Sequence, residues 1–302
     1  MKTSNINKTG SNTDFESIIE KEIQNFVRTS DLNLMPPDKI YTIFDPPLIR
    51  FADGDDPIFA EYKNIIGPVH FTPREALAEA YNKKPEEMPE KLSVISWILP
   101  ITEETRKSNR KETLVPSRLW VHTRWYGEQF NDALRQHIAE FLKGMGHLAA
   151  APVIQPYFKR LSNEKGQFSN WSERHIAFAA GHGTFSLSDG FITERGIAHR
   201  CGSVVTNLKL PASQRTAKGP YSNCLFFANA SCNACISRCP AGAISEKGHD
   251  KIKCLDYSGS GISHLRIEHN VGITGCGLCQ VKVPCESTNP TINYRRKEGR
   301  GR

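Results

Sequence analysis

The residues of this 302-residue sequence whose type and spacing could do chemistry are its nine cysteines, and all nine fall in the last 102 residues, starting at Cys201. Two Cys-x-x-Cys pairs, Cys232/Cys235 and Cys276/Cys279, set two sulfurs in one tight turn, where both can reach one iron–sulfur cluster while backbone amides point at its sulfides.

The first pair continues as Cys232-Asn-Ala-Cys235-Ile-Ser-Arg-Cys239-Pro240-Ala-Gly-Ala-Ile244, the ending of the bacterial ferredoxin run, in which the cysteine before proline binds the other cluster. The usual first cysteine would fall on Asn229, and Cys224 replaces it across a longer loop. The second pair extends to Cys285 over five residues instead of three, and Cys254 lies between the two motifs. The crossed arrangement gives Cys224, Cys232, Cys235 and Cys285 to one 4Fe–4S cluster, and Cys239, Cys254, Cys276 and Cys279 to a second. Four-cysteine zinc sites also use paired Cys-x-x-Cys motifs, but zinc does not account for the interleaved third cysteines or the Cys-Pro continuation. Cys201 is left over, either a half-buried small apolar residue or a neighbour of a cofactor. Two clusters side by side make a wire. One end must meet a soluble electron donor, and the other can face a centre in the cysteine-free body.

Cysteines clustered in this way fit metal or redox work in a reducing, cytoplasmic setting, and 38% apolar residues suffice for a core without disulfides. No apolar run approaches the roughly 20 residues a membrane helix needs, and the first dozen residues are polar, so neither a membrane span nor a secretory signal is expected. A net charge of +7 and an isoelectric point near 8.9 favour an acidic partner: a small donor such as ferredoxin or flavodoxin, or a nucleic acid such as tRNA. Residues 295–302 supply five positive charges and read as a solvated basic tail.

These ligands need elements to position them. Phe15, Ile18, Ile19, Ile23, Phe26 and Val27 share one face of a helix over about 14–28. The proline- and aspartate-rich stretch 36–57 reads as an extended, loop-rich connection. Thr72-Pro73-x-Glu75 is a capping box opening another helix. Residues 92–99, ended by Pro100, read as a strand buried on both faces, pointing to a mixed α/β body. Helical spacing returns over 129–143, stopped by Gly144, and a shorter helix over about 171–180 is capped by Ser169 or Asn170 and stopped by Gly181. Glycines then punctuate strand-like runs at 191–193 and 203–208, which read as hairpins covering a site.

From about residue 92 to 290 the sequence resembles the epoxyqueuosine reductase and reductive dehalogenase superfamily. The resemblance rests on Glu173-Arg174-His175-Ile176-Ala177-Phe178-Ala179-Ala180-Gly181-His182-Gly183, on Phe191-Ile192-Thr193, on the run from Gly202 to Leu210, and on the cysteine motifs. It is nearest to a poorly characterised anaerobe branch, in Gly248-His249-Asp250-Lys251 and Val283-Pro284-Cys285-Glu286. The resemblance implies an α+β fold class: a nitroreductase-like, corrinoid-binding body followed by a ferredoxin-like double-cluster module. The expected divisions are 1–45 (N-terminal helix and flexible segment), 46–210 (body), 211–290 (cluster module) and 291–302 (tail). It also implies electrons passed singly from the clusters to a cobalamin, for reduction of a small organic substrate. The alternatives are an electron-transfer or reductive-activation protein serving a partner such as a corrinoid protein, and a tRNA-modifying reductase.

Epoxyqueuosine reductases carry an acidic proton donor in an Asp-Tyr-His step ahead of a helix; aligned on Leu134-Arg135, this sequence has Gln129-Phe130-Asn131. Glutamine cannot donate a proton, so Tyr126, Glu128 and Arg195 are the expected catalytic residues. Gly181, Gly183, Thr184, Arg200 and Cys201 are the expected cofactor contacts, with Arg195 and Arg200 suited to corrinoid amides or an anionic substrate. His175, His182 and His199 surround the glycine-rich segment, and His249 and Asp250 brace the Cys254 loop. Neither the helical repeats of longer tRNA-acting members nor a twin-arginine leader is present, so an exported respiratory role is not expected.

Overall fold

The computed structural model describes residues 12–292; the expected basic tail and the polar first residues lie outside them. Helix α1 (Asn12–Thr29) turns Ile19, Ile23 and Val27 inward, and each of the two fully buried isoleucines contributes roughly 1.5–3 kcal/mol. The stretch read as loop holds a six-residue strand, β1 (Leu48–Asp53), which corrects that reading. Its alternation is masked by flanking prolines, and it is an edge strand, where a preceding proline is tolerated.

After α2 (Ile58–Ile65) comes α3 (Pro73–Ala80), opened by the expected capping box: the Thr72 hydroxyl accepts from the Glu75 amide, and the Glu75 carboxylate accepts from the Thr72 amide at 2.8 Å. Strand β2 (Ser93–Pro100) is buried at every position. Short α4 (Glu103–Arg110) leads into α5 (Arg118–Gly144), whose 27 residues start eleven earlier than the spacing of apolar residues implied. Ser117 caps it, accepting from the Trp120 amide, so Tyr126 and Glu128 sit inside a helix and not ahead of one.

Next come β3 (Ala149–Ala150), the hairpin β4 (Arg160–Asn163) and β5 (Gly166–Ser169), and α6 (Glu173–Ala179). Neither residue expected to cap α6 does so: the Ser169 hydroxyl binds the Trp171 carbonyl, Asn170 bridges Lys159 and Tyr157, and Ser172 holds the N-cap position with its hydroxyl paired to His175 Nδ1 at 2.8 Å and no side-chain cap bond. The hairpin β6 (Gly183–Phe185) and β7 (Phe191–Thr193) precedes the long strand β8 (His199–Thr206).

The main sheet runs β1-β2-β8-β3, antiparallel throughout. Helices α1 and α5 cover one face through Ile95, Trp97 and Leu99, and α2, α3 and α6 pack on the other side with Val94 and Val205. This mixed helix-and-sheet arrangement is why β2 lacks a polar face.

The remaining chain is built of short pieces: α7 (Leu225–Asn229), α8 (Ala234–Ser237), the two-residue strands β9 (Ile244–Ser245) and β10 (Gly248–His249), α9 (Lys251–Asp256) and α10 (His264–Glu268). It is pinned to the N-terminal half of α5 and to α4. Ile262, Leu265 and Val271 bury against Val121, Arg110 meets the buried Glu286 carboxylate at 2.5 Å, and Arg238 donates to the Glu112 carbonyl at 2.8 Å.

Candidate functional site

Cys224, Cys232, Cys235 and Cys285 line one small cavity closed by Ile192, Phe226 and Val283. Burial, then the neighbouring Cys224 and Cys232, push the Cys235 thiol up to about 11; Cys285 rises further for the same reasons, with Cys224, Cys235 and Cys232 as its neighbours. The amides of Cys235 and Ile236 point at the Cys235 sulfur and work the other way.

Cys239, Cys254, Cys276 and Cys279 line a second cavity, of about 530 Å³. Burial, then Cys276, Cys254 and Cys239, raise Cys279 strongly, and burial with Cys254 and Cys239 raises Cys276 to about 11 against an opposing Leu278 amide. The Ala243 amide donates to the Cys239 sulfur at 3.3 Å. Gly277, at φ +59°, turns the chain between Cys276 and Cys279, and a Cβ there would lie 2.2 Å from the Trp120 ring. Arg238 braces the same turn through the carbonyls of Leu278 and Val281. Because Cys235 and Cys239 lie at either end of α8, the two groups of thiols are neighbours, and Cys235 is among the charges acting on Cys279.

Among the described residues no three His, Cys, Asp or Glu side chains close on a point as a single ion needs; a tetrahedral zinc would bring sulfurs within about 3.8 Å of one another. Burial keeps Cys235, Cys276, Cys279 and Cys285 protonated, and backbone amides approach Cys235, Cys239, Cys276 and Cys285, a donor set that a large, positively charged sulfide core would relieve.

The wall of the second cavity facing the main sheet carries Trp120 and Arg124 of α5, His199 and Arg200 of β8, Arg160 of β4 and Arg174 of α6. A cavity of about 360 Å³ shares Arg160, Arg174, His199 and Arg200 and adds Glu128, Arg135, Glu173 and Cys201. A third, of about 900 Å³, shares Arg160 and Arg174 and is lined by Tyr62, Phe158, Phe178, Phe185 and Tyr221. Beneath them Arg135, 2% exposed, meets Glu128 at 2.9 Å, Asp132 at 2.6 Å and Glu173 at 3.1 Å. Burial pushes the Glu128 carboxyl up, but Arg135, Arg200 and Arg124 together outweigh it and hold it at about 2. Glu128 is therefore an anion at neutral pH and has no proton to give. Burial pushes the Cys201 thiol up to about 12, so it does carry one; its sulfur lies 3.6 Å from His199 Nδ1.

Of the other expected residues, Tyr126 packs edge-on against His122 and lines none of these cavities. Arg195 forms a partly exposed pair with Asp45 at 3.1 Å, outside them too. Gly181 ends α6 at φ +81°, and Gly183 is packed against the Ile192 carbonyl. The buried Thr184 hydroxyl accepts from the Asn223 amide at 2.9 Å, which ties the hairpin to the segment before Cys224. Only Arg200 and Cys201 of that group line a cavity. Asn131 is structural: its Oδ1 takes the Trp97 indole N–H at 2.9 Å and its amide donates to the Cys201 carbonyl at 2.9 Å. His182 donates through Nε2 to the Ser96 carbonyl at 3.1 Å, and burial holds it neutral, down to about 3. Asp250 caps α9, accepting from Ile252 and Lys253, while Asp189 and Cys254 raise its neighbour His249 to about 9.

Sequence reasoning missed Arg124, Arg135, Arg160 and Arg174. Arg124, Glu128 and Arg135 do carry a signal, since steps of four and seven put opposite charges on one helical face. Arg160, on a short hairpin, carries none.

No protein-family model and no curated protein matches this sequence. Solved structures do. A catabolic reductive dehalogenase in complex with 3-bromo-4-hydroxybenzoic acid superposes with a TM-score of 0.50 at 15% identity, over 93% of this chain and 38% of that one. A reductive dehalogenase described for B12-dependent dehalogenation gives 0.48 at 15%, with the same coverage. An epoxyqueuosine reductase bound to an epoxyqueuosine-modified tRNA-Tyr stem loop gives 0.48 at 16%, over 91% of this chain and 66% of that one. The chain therefore spans just under two thirds of the epoxyqueuosine reductase and under two fifths of the dehalogenases, and at these identities what it shares with the first dehalogenase is the fold. Those are the two protein classes that the sequence resembles.

Proposed function

We propose that this chain is an iron–sulfur reductase with two 4Fe–4S clusters, one on Cys224, Cys232, Cys235 and Cys285 and the other on Cys239, Cys254, Cys276 and Cys279. The observation that carries the reading is the grouping of thiols: each set of four surrounds its own cavity, and the second cavity is continuous in its lining with those under the main sheet. On this reading residues 46–210 form a nitroreductase-like body, 211–290 the ferredoxin-like module, and the flanks 1–45 and 291–302 its additions. The protein works in an anaerobic cytoplasm and takes electrons from an acidic donor such as ferredoxin or flavodoxin.

The 900 Å³ cavity, whose aromatic and isoleucine walls are interspersed with Asn163, Gln167 and Ser172, suits a large flat ring edged by amides, and the fold shared with a reductive dehalogenase supports cobalamin there. A cobalamin would supply a metal able to take up single electrons and hand them to a bound organic substrate. The chain's own residues would exclude water with Phe158, Phe178 and Phe185, balance charge with Arg160 and Arg174, and hold a proton on Cys201.

A second reading, an electron-transfer or reductive-activation protein without a corrinoid of its own, is favoured by Tyr221 and Phe227. These rings pair at 4.5 Å beside the first group of thiols and stay 42% and 49% exposed, a surface suited to a partner protein.

Iron, zinc and cobalt are measured per chain on anaerobically purified protein after incubation with cobalamin. About eight irons with one retained cobalt are expected for two four-iron clusters and a corrinoid. Eight irons without cobalt favour the second reading, and zinc in place of iron overturns both. tRNA that co-purifies and is released by moderate salt would turn the substrate assignment toward nucleic acid.

A further inference from the structure

We propose that Arg124 and Arg200, neighbours on the sheet-facing wall of the second cavity and flanked by Arg160 and Arg174, form a subsite for an oxyanion, so that the substrate carries a carboxylate or phosphate group. The proposal deepens the reductase reading, because this cavity is the one that the Cys239, Cys254, Cys276 and Cys279 thiols line, but oxyanion binding can be measured without turnover.

Five arginines line the cavity, the fifth being Arg266, and no aspartate or glutamate does. Arg200 Nε is buried without a hydrogen-bond partner, and among the described residues no carboxylate lies within ion-pair distance of its guanidinium. Arg124 has only Glu128, at 3.6 Å, whose other oxygen is taken by Arg135 at 2.9 Å. Glu128 is thus shared among three guanidiniums, of which, among the described residues, Arg135 alone has further carboxylates, Asp132 at 2.6 Å and Glu173 at 3.1 Å. Among the described residues, the hydrogen bonds of Arg174 and Arg266 go to the backbone carbonyls of Asp189 and Gly259. The repulsion is large enough that Arg200, ahead of burial, lowers Arg124 to about 9.

Guanidiniums pressed together in a half-buried cavity cost stability unless an anion bridges them, and their planar forks match the two oxygens of a carboxylate or phosphate. A four-thiolate cluster on the adjoining cysteines would offset only part of the charge of five guanidiniums, and it would act most on Arg124, whose side chain packs against Gly275 beside Cys276. The phosphodiester of a cobalamin's nucleotide tail has the same chemistry as a substrate phosphate, so the test separates the two sources.

Benzoate and inorganic phosphate are titrated into the anaerobically purified full chain at low ionic strength by calorimetry, with iron content determined on the same samples. The wild type and a Lys143→Met surface control are expected to bind one oxyanion per chain. Arg200→Met and Arg124→Met are expected to bind roughly ten- to a hundredfold more weakly, the loss of a charge-assisted hydrogen bond, with the melting temperature of Arg200→Met unchanged or higher because its guanidinium has no ion pair among the described residues. If Arg200→Met does not accumulate, Arg124→Met decides. No oxyanion binding to iron-replete wild type, or equal binding by both variants, overturns the proposal. It is also overturned if cobalamin loses affinity in both variants while cobinamide, which lacks the phosphodiester, and the small oxyanions do not, for the arginines would then serve a cofactor tail. Arginine-dependent benzoate binding by a chain without iron would leave the subsite standing and remove the cluster reading instead.

Discussion

Replacing Arg135 by methionine removes the cation beneath the cavities and leaves three carboxylates to find other partners. Losing one partner of a buried ionic group costs about 3–5 kcal/mol, because charge is stranded in low dielectric. Two contacts hold the loss near the lower end: the Ser203 hydroxyl still donates to Glu173 at 2.6 Å, and Arg124 remains 3.6 Å from Glu128. The Cys201 carbonyl, which Arg135 also binds, keeps the Asn131 amide at 2.9 Å, so no acceptor is orphaned. The expected loss is therefore about 3 kcal/mol, seen in anaerobic urea titrations followed by tryptophan fluorescence as a fall in midpoint of about 1 M. Its pH dependence has a definite sign. Burial already raises Glu173 above the ordinary carboxyl range, against the pull of Arg135. Without that pull the folded-state value rises further, so the folded state keeps a proton that the unfolded chain releases, and the loss is greater at pH 8 than at pH 5. Adding Glu173→Gln to the variant removes the stranded charge and restores at least about 1 kcal/mol. A loss under about 1 kcal/mol at both pH values, or a larger loss at pH 5, would refute the reasoning.

Gly277→Ala forces a side chain into the Trp120 ring at a left-handed residue, adding about 1 kcal/mol of backbone cost to about 1–3 kcal/mol of overpacking. Iron per chain should fall from about eight toward four, because the disturbed turn carries Cys276 and Cys279 alone, and full iron occupancy would count against the cluster assignment. His182 is buried neutral and held down to about 3, against 6.5 for an ordinary histidine, so it takes up its proton in the unfolded chain first. Stability is present above pH 6.5 and lost as pH falls toward 3, by about 2 kcal/mol at pH 5 from this group. His182→Gln should lose about that much less stability than wild type between pH 7.5 and pH 5, and identical pH profiles would reject the assignment.

What the sequence by itself determined is what depends on near neighbours along the chain. The capping box at Thr72 and Glu75, the α1 face of Ile19, Ile23 and Val27, the fully buried, mostly apolar β2 and the glycine stop at Gly181 are all set by contacts within a few residues, where spacing and side-chain chemistry suffice. The Cys-x-x-Cys turns are local in the same sense. Tertiary structure decided the rest. Strand β1 becomes a strand by pairing with β2, more than forty residues on, and its flanking prolines hid it. The first turns of α5 hold amphipathic and aromatic residues that bury only when the cysteine-rich segment folds over them, as Trp120 does beneath Gly277 and Val121 beneath Ile262. Glu128, read as a proton donor at a helix start, became an anion because α5 and β8 bring Arg124, Arg135 and Arg200 around it. A pKa set by charges up to 72 positions away has no signature in a local pattern, and neither does a cavity whose arginines come from α5, β4, α6 and β8.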